Sequence, residues 1–224
     1  MDREKINKYF LNLINGIIEN KSEWSREALL CRVGYEYEES DALLEADVTS
    51  EFNINIRHGA SKLVIISNDN HEYSERYVAK IPFNFAVMDY CKEELKTYNS
   101  VLEDYESFKE YFAECWCAGL VDIKDNDGFL NHIPVYIMRR ADVDENEVES
   151  SSYDFWINDG GEPDCYDPEG NEEVINCFKN HYGKELGEAI EEIIDMLEVT
   201  DLHSSNVGFI DGNPVLIDYS GYWD

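Results

Sequence analysis

Ile6, Phe10, Leu13, Ile14 and Ile17 recur at helical spacing, with Lys, Glu and Asn filling the positions between them. That stripe predicts an amphipathic helix near the start of the chain. A second helix is expected over 25–33 and a short third over 41–46, so residues 1–48 read as a helical N-terminal cap. The period then changes. Phe52-Asn-Ile54-Asn-Ile56 alternates, Leu63-Val-Ile-Ile66 is an unbroken β-branched run, and Arg76-Tyr-Val-Ala-Lys-Ile-Pro82 follows a polar turn at Asn68-Asp-Asn70. These three runs predict a meander of strands.

Residues 87–117 return to helical spacing, with Met88, Leu95, Tyr98, Val101 and Leu102 on one face and Phe108, Tyr111, Phe112 and Cys115 on another. Leu120-Val-Asp-Ile123 and Ile133-Pro-Val-Tyr-Ile-Met138, separated by Asp125-Asn-Asp-Gly128, predict a hairpin. Residues 141–178 contain no Lys or Arg and hold Gly160-Gly161, Pro163, Pro168 and Gly170, the composition of an acidic insertion or linker. Trp156, Phe155 and Tyr166 predict that part of this segment packs down. Leu186, Ile190, Ile193, Ile194 and Leu197 then give the strongest helix signal in the chain. Asp211-Gly-Asn213 follows as a turn between two short apolar strands.

Charge narrows the partners. Eighteen Lys and Arg against 49 Asp and Glu in 224 residues leave a net charge of −31, which repels a phosphodiester backbone, so direct nucleic-acid binding is not expected. A basic protein is the natural macromolecular partner for such a surface. With 43% hydrophobic and 13% aromatic residues the chain has the material for a core, unlike a disordered acidic chain. Six cysteines form no CxxC pair and five histidines show no paired ligand spacing, so a structural zinc site is not expected. The N-terminal segment carries charge at every turn and no long apolar run occurs elsewhere, which predicts a cytoplasmic protein with free thiols and no membrane segment.

The informative chemistry lies near the C-terminus. A long helix leads into Asp201-Leu-His-Ser-Ser-Asn206, then a hairpin, an apolar strand Val215-Leu-Ile217, and Asp218-Tyr-Ser-Gly221. Phosphoryl transfer needs hard oxygen ligands that hold Mg²⁺ against a triphosphate, and a further carboxylate for the attacking hydroxyl. The Asp201 to Asn206 spacing resembles the catalytic loop of the protein-kinase-like superfamily, in the DLHxGN form of aminoglycoside and choline phosphotransferase-like members and of short bacterial or phage kinase-like proteins. Asp218-Tyr-Ser-Gly221 resembles that superfamily's Asp-Phe-Gly motif. Val199 and Thr200 stand where eukaryotic protein kinases have His-Arg.

The resemblance implies an α+β, bilobal kinase-like fold: an N-lobe with an antiparallel sheet over 49–140, the insertion at 141–178, and a reduced helical C-lobe over 179–224. It implies ATP and Mg²⁺ as cofactors, with Asp201 as catalytic base, Asn206 and Asp218 as metal ligands, and His203 organising the loop. Val78-Ala-Lys80 resembles the third-strand motif whose Lys80 contacts the α- and β-phosphates, and Glu94 is the helix carboxylate to pair with it, Glu93 being the alternative. Gly59 and Ser61 sit where the nucleotide-covering loop falls, with one glycine where kinases have two or three, and Met138 occupies the gatekeeper-like position before the hinge. Only a few residues follow Gly221, so no protein-kinase peptide groove is expected and the hydroxyl acceptor is not identified. The alternative is a kinase-fold pseudoenzyme, or an acidic nucleic-acid mimic such as a phage anti-defence protein, that acts by binding.

Overall fold

A computed structural model describes residues 2–30, 39–58, 62–82, 89–143, 168–199, 202 and 206–220. The chain divides into two compact units, residues 1–92 with 115–140 and residues 93–114 with 141–224.

The first unit is helices on a sheet. Helix α1 (Arg3–Asn20) buries Ile6, Phe10, Ile14 and Ile17, the stripe expected from their spacing. Helix α2 (Ser22–Leu29) buries Trp24, Ala28 and Leu29, and α3 (Glu39–Phe52) completes the layer. Strands β1 (Ile54–His58), β2 (Lys62–Ser67) and β3 (Tyr77–Pro82) form the expected meander, and β4 (Cys115–Lys124) and β5 (Leu130–Arg139) the hairpin. All five pair antiparallel in the order β1-β2-β3-β5-β4. Residues alternate across a strand, so one face of the sheet carries Leu63, Ile65, Tyr77, Ala79, Ile81 and Ile137. That face shares one core with Ile6, Phe10, Ile14, Ile17, Trp24 and Val48 of the helices.

The second unit contains most of α4 (Tyr90–Asp104), a 3-10 helix (Glu106–Tyr111), α5 (Pro168–Tyr182), α6 (Lys184–Met196) and a hairpin of β6 (Val207–Ile210) and β7 (Asn213–Leu216). Helices α5 and α6 approach closely at Gly187, where a Cβ would lie 2.7 Å from the Cα of Lys179 and 2.9 Å from its backbone N. Only a residue without a side chain fits there. The β6–β7 turn has Asp211 at φ 54° and Gly212 at φ 79°, the left-handed pair that a two-residue hairpin demands. Both edges of the hairpin are covered: Phe209 exchanges backbone hydrogen bonds with Asp142 at 2.7 and 2.9 Å, and the Ala113 N–H donates to Leu216 O at 2.8 Å.

Two expectations are corrected. Helical character does not extend to residue 117: it gives way to the 3-10 helix, and Cys115 already opens β4. The register shifts between Cys117 and Gly119, and this bulge breaks the alternation that would have marked the strand earlier than Leu120. The segment 141–178 is not linker throughout, because α5 begins at Pro168 and buries Val174, Ile175 and Phe178. Proline is favoured in the first turn of a helix, where its missing N–H costs nothing. Trp156, Phe155 and Tyr166 lie outside the described residues.

Candidate functional site

The second face of the five-stranded sheet is unlike the first. Directly opposed residues of an antiparallel pair project to the same side. The pairs Arg57↔Val64, Val64↔Lys80, Lys80↔Tyr136 and Tyr136↔Cys117 therefore form one row across all five strands. Met138, opposite Val78, belongs to the same face and is fully buried. Lys80 is 6% exposed on β3, a rare burial for an ammonium group. One diagonal step away, Lys62 opens β2 opposite Pro82 and is 4% exposed. Sequence reasoning assigned Lys62 no role. The available signal was its position directly after 59–61 and two residues before Val64, in phase with the non-core side of β2.

Tyr136 ties this face to the start of α4. Its hydroxyl donates to Asp89 Oδ2 at 2.6 Å, while Asp89 Oδ1 accepts the Lys92 backbone N–H at 3.0 Å and so caps the helix. Burial, then the hydrogen bond and charge of Asp89, then the neighbouring Cys117 and Cys91, hold the Tyr136 hydroxyl far above the ordinary tyrosine range. On the opposite side of the unit, the Tyr9 hydroxyl donates to Asp69 Oδ1 at 2.7 Å and accepts from the Ser67 hydroxyl at 2.8 Å. Burial pushes it up to about 12, Asp69 adding to the shift against the opposing effect of Ser67. Because the folded values are raised, the unfolded chain ionises first. The stability the Tyr9 hydroxyl contributes is complete below pH 10 and lost as pH rises through about 12, and that of Tyr136 is lost at higher pH still. An alkaline titration followed by tyrosinate absorbance should show Tyr9, Tyr136 and Tyr182 among the late-titrating members of the 15 tyrosines. Ionisation of every tyrosine together near pH 10 in the folded protein would contradict this.

In the second unit, Glu94 is 1% exposed on α4, whereas Glu93 is half-buried and ion-paired with Lys96 at 2.6 Å. Helical phase thus turns Glu94, not Glu93, inward. Asn206 and Asp218 flank the β6–β7 hairpin. The Ile217 N–H donates to Asn206 O at 2.8 Å, one step beyond the Val207↔Leu216 pair, so both residues lie at the hairpin's open end. Asn206 is 3% exposed and Asp218 half-buried. The chain after Asp218 is anchored by Tyr219, fully buried edge-on against Phe112 at 5.5 Å and donating its hydroxyl to Ala113 O at 2.6 Å. The Ser220 hydroxyl reaches Asp218 Oδ1 at 3.4 Å. Lys62, Lys80, Glu94, Asn206 and Asp218 all have interaction partners within the protein.

Gly59, Ser61, Asp201 and His203 lie outside the described residues, although their flanks are defined by His58↔Leu63 and by buried Leu202. Among the described residues, no group of three or more His, Cys, Asp or Glu could hold a metal ion, and no helix is long and apolar enough to cross a membrane. Asn206 and Asp218 each carry a hard donor of the type Mg²⁺ takes, an amide oxygen and a carboxylate, and Mg²⁺ is commonly held by one or two protein groups with phosphate and water supplying the rest. No protein-family model, curated protein or solved structure matches the chain.

Proposed function

We propose that this protein is a small, atypical kinase-like phosphotransferase that moves the γ-phosphate of ATP to a hydroxyl acceptor. The first unit corresponds to the sheet lobe and the second to a reduced helical lobe. The observation that carries the reading is the open end of the hairpin, where the Ile217 N–H donates to Asn206 O at 2.8 Å and Asp218 is the next residue, since an amide oxygen and a carboxylate near one strand end are the donor types a metal–triphosphate complex takes. The order of the remaining parts supports it: residues 59–61 between β1 and β2, a buried Lys80 on the third strand, a buried Glu94 on the helix that follows, and Met138 near the end of β5.

In this reading Lys80 neutralises the α- and β-phosphates, and Glu94 is the carboxylate that the resemblance assigns to its ammonium. Asn206 and Asp218 hold the metal. When bound, Mg²⁺ supplies the positive charge that offsets the phosphate oxygens. Asp201 accepts the proton of the attacking hydroxyl as its oxygen bonds to the γ-phosphorus and the bond to the ADP oxygen breaks. The bases of affinity are charge and position, in a water-poor setting where each contact counts for more.

Thermal denaturation in the presence of ATP, with and without Mg²⁺, tests the reading. At a nucleotide concentration about 100 times its dissociation constant, stability should rise by about 2.7 kcal/mol, and omission of Mg²⁺ should remove most of the gain. A melting curve unmoved by Mg-ATP at millimolar concentration would overturn it.

A further inference from the structure

We infer that Lys62 is a second phosphate-binding residue, and that Lys62 and Lys80 together form a cationic seat for the polyphosphate chain of a nucleoside triphosphate. The inference rests on the nucleotide reading above and adds a residue to it. Lys62↔Pro82 and Val64↔Lys80 put the two lysines on the same face of β2–β3 as diagonal neighbours. Diagonal positions in an antiparallel pair are about 7–8 Å apart at their α-carbons, within reach of long side chains. Both lysines are more than nine-tenths buried, at 4% and 6% exposure.

Burial of two like charges side by side is costly, and a chain with 49 acidic residues has no shortage of exposed places to satisfy a lysine. A polyanion that contacts both ammonium groups lowers that cost beyond what their partners within the protein do. The row that holds Val64 and Lys80 also carries Arg57 from β1, on the sheet face opposite the hydrophobic core. Neither lysine lacks a partner in the protein, so the phosphate oxygens join a polar neighbourhood that is already organised.

Position supplies the second half of the argument. Lys62 directly follows residues 59–61, the stretch that holds one glycine where a phosphate-covering loop uses two or three. Additional glycines would allow backbone N–H groups to approach phosphate. An ammonium group at the first residue of β2 supplies donors and charge from a side chain instead.

Titration calorimetry with sodium tripolyphosphate, ATP and Mg-ATP tests the seat on the full chain. Lys62→Met and Lys80→Met should each weaken tripolyphosphate and ATP at least tenfold, Lys62→Arg should retain binding, and Lys124→Met, an exposed control on β4, should bind as wild type. Should the methionine variant not fold, Lys62→Gln gives the same readout with a neutral polar head. Wild-type affinity in Lys62→Met or Lys62→Gln, with loss only in Lys80→Met, would overturn the role of Lys62 and leave the phosphotransferase reading intact. Lysine-dependent binding of tripolyphosphate with no effect of Mg²⁺ would support the seat for free polyphosphate and remove the phosphotransferase reading. No binding of any of the three probes would overturn both.

Discussion

Phe10→Ala is expected to destabilise the first unit by about 3–5 kcal/mol, the usual cost of emptying a large aromatic site that its neighbours cannot refill. Phe10 is fully buried, in the middle of the α1 stripe between Ile6 and Ile14, and Tyr9 meets its ring edge-on at 4.9 Å. The surrounding core draws on β2, β3, β4 and β5 as well as α1. Collapse around the vacancy would therefore have to move a helix against a sheet whose strands are fixed by their hydrogen bonds, and interiors packed at crystal density resist that. Domains of this size hold about 5–15 kcal/mol in total, so the loss is a large share. Urea denaturation should show a lower midpoint with an unchanged slope. Leu43→Ala, at a side chain 68% exposed on α3, should stay within about 0.5 kcal/mol on the same assay. A cost below about 1 kcal/mol at Phe10 would mean that α1 is an appendage and not a layer of the sheet's core.

That helix was legible because five apolar residues at helical spacing leave one face to bury and no other period to confuse it with. The meander was legible for the same reason at period two. Helix α5 was not: its buried residues Val174, Ile175 and Phe178 are interleaved with Glu172, Glu173 and Asn176, and its first residue is a proline that also marks linkers. The start of β4 was hidden by a bulge, since one extra residue reverses which positions face inward. Such features depend on pairing partners far away in the chain, and no local window contains them.

Legibility of the site divides along the same line. A two-residue Asp-Gly turn between strands of equal length brings Asn206 opposite Ile217, one residue before Asp218, so the approach of the two segments follows from local chemistry. The inward phase of Glu94 followed from Leu95 and Tyr98 on the same helix. Lys62 was invisible because its relation to Lys80 is a matter of register between β2 and β3, which no spacing within either strand reports. The link from Asp89 to Tyr136 and the anchor from Tyr219 to Ala113 are likewise long-range hydrogen bonds that leave no trace in composition.

Asp218→Asn should abolish the Mg²⁺-dependent part of ATP stabilisation and lower γ-phosphate release or transfer by about 10²–10³-fold, the range seen when one charge-stabilising group is taken from a transition state. The substitution exchanges one carboxylate oxygen for an amide nitrogen of nearly the same volume. Ser220 can still donate to the remaining oxygen, and Tyr219 keeps its buried ring and its hydrogen bond to Ala113 O, so the fold around the hairpin is expected to hold its stability. What changes is charge: an amide oxygen is a weaker ligand for Mg²⁺ than a carboxylate, and the site loses its anionic donor while Asn206 stays neutral. ATP binding without Mg²⁺ should therefore be preserved or slightly strengthened, because a negative charge near the triphosphate has been removed. Those opposite signs separate a metal ligand from a merely structural residue. Equal loss of ATP affinity with and without Mg²⁺, together with a lowered melting temperature of the free protein, would assign Asp218 to the fold and not to the metal.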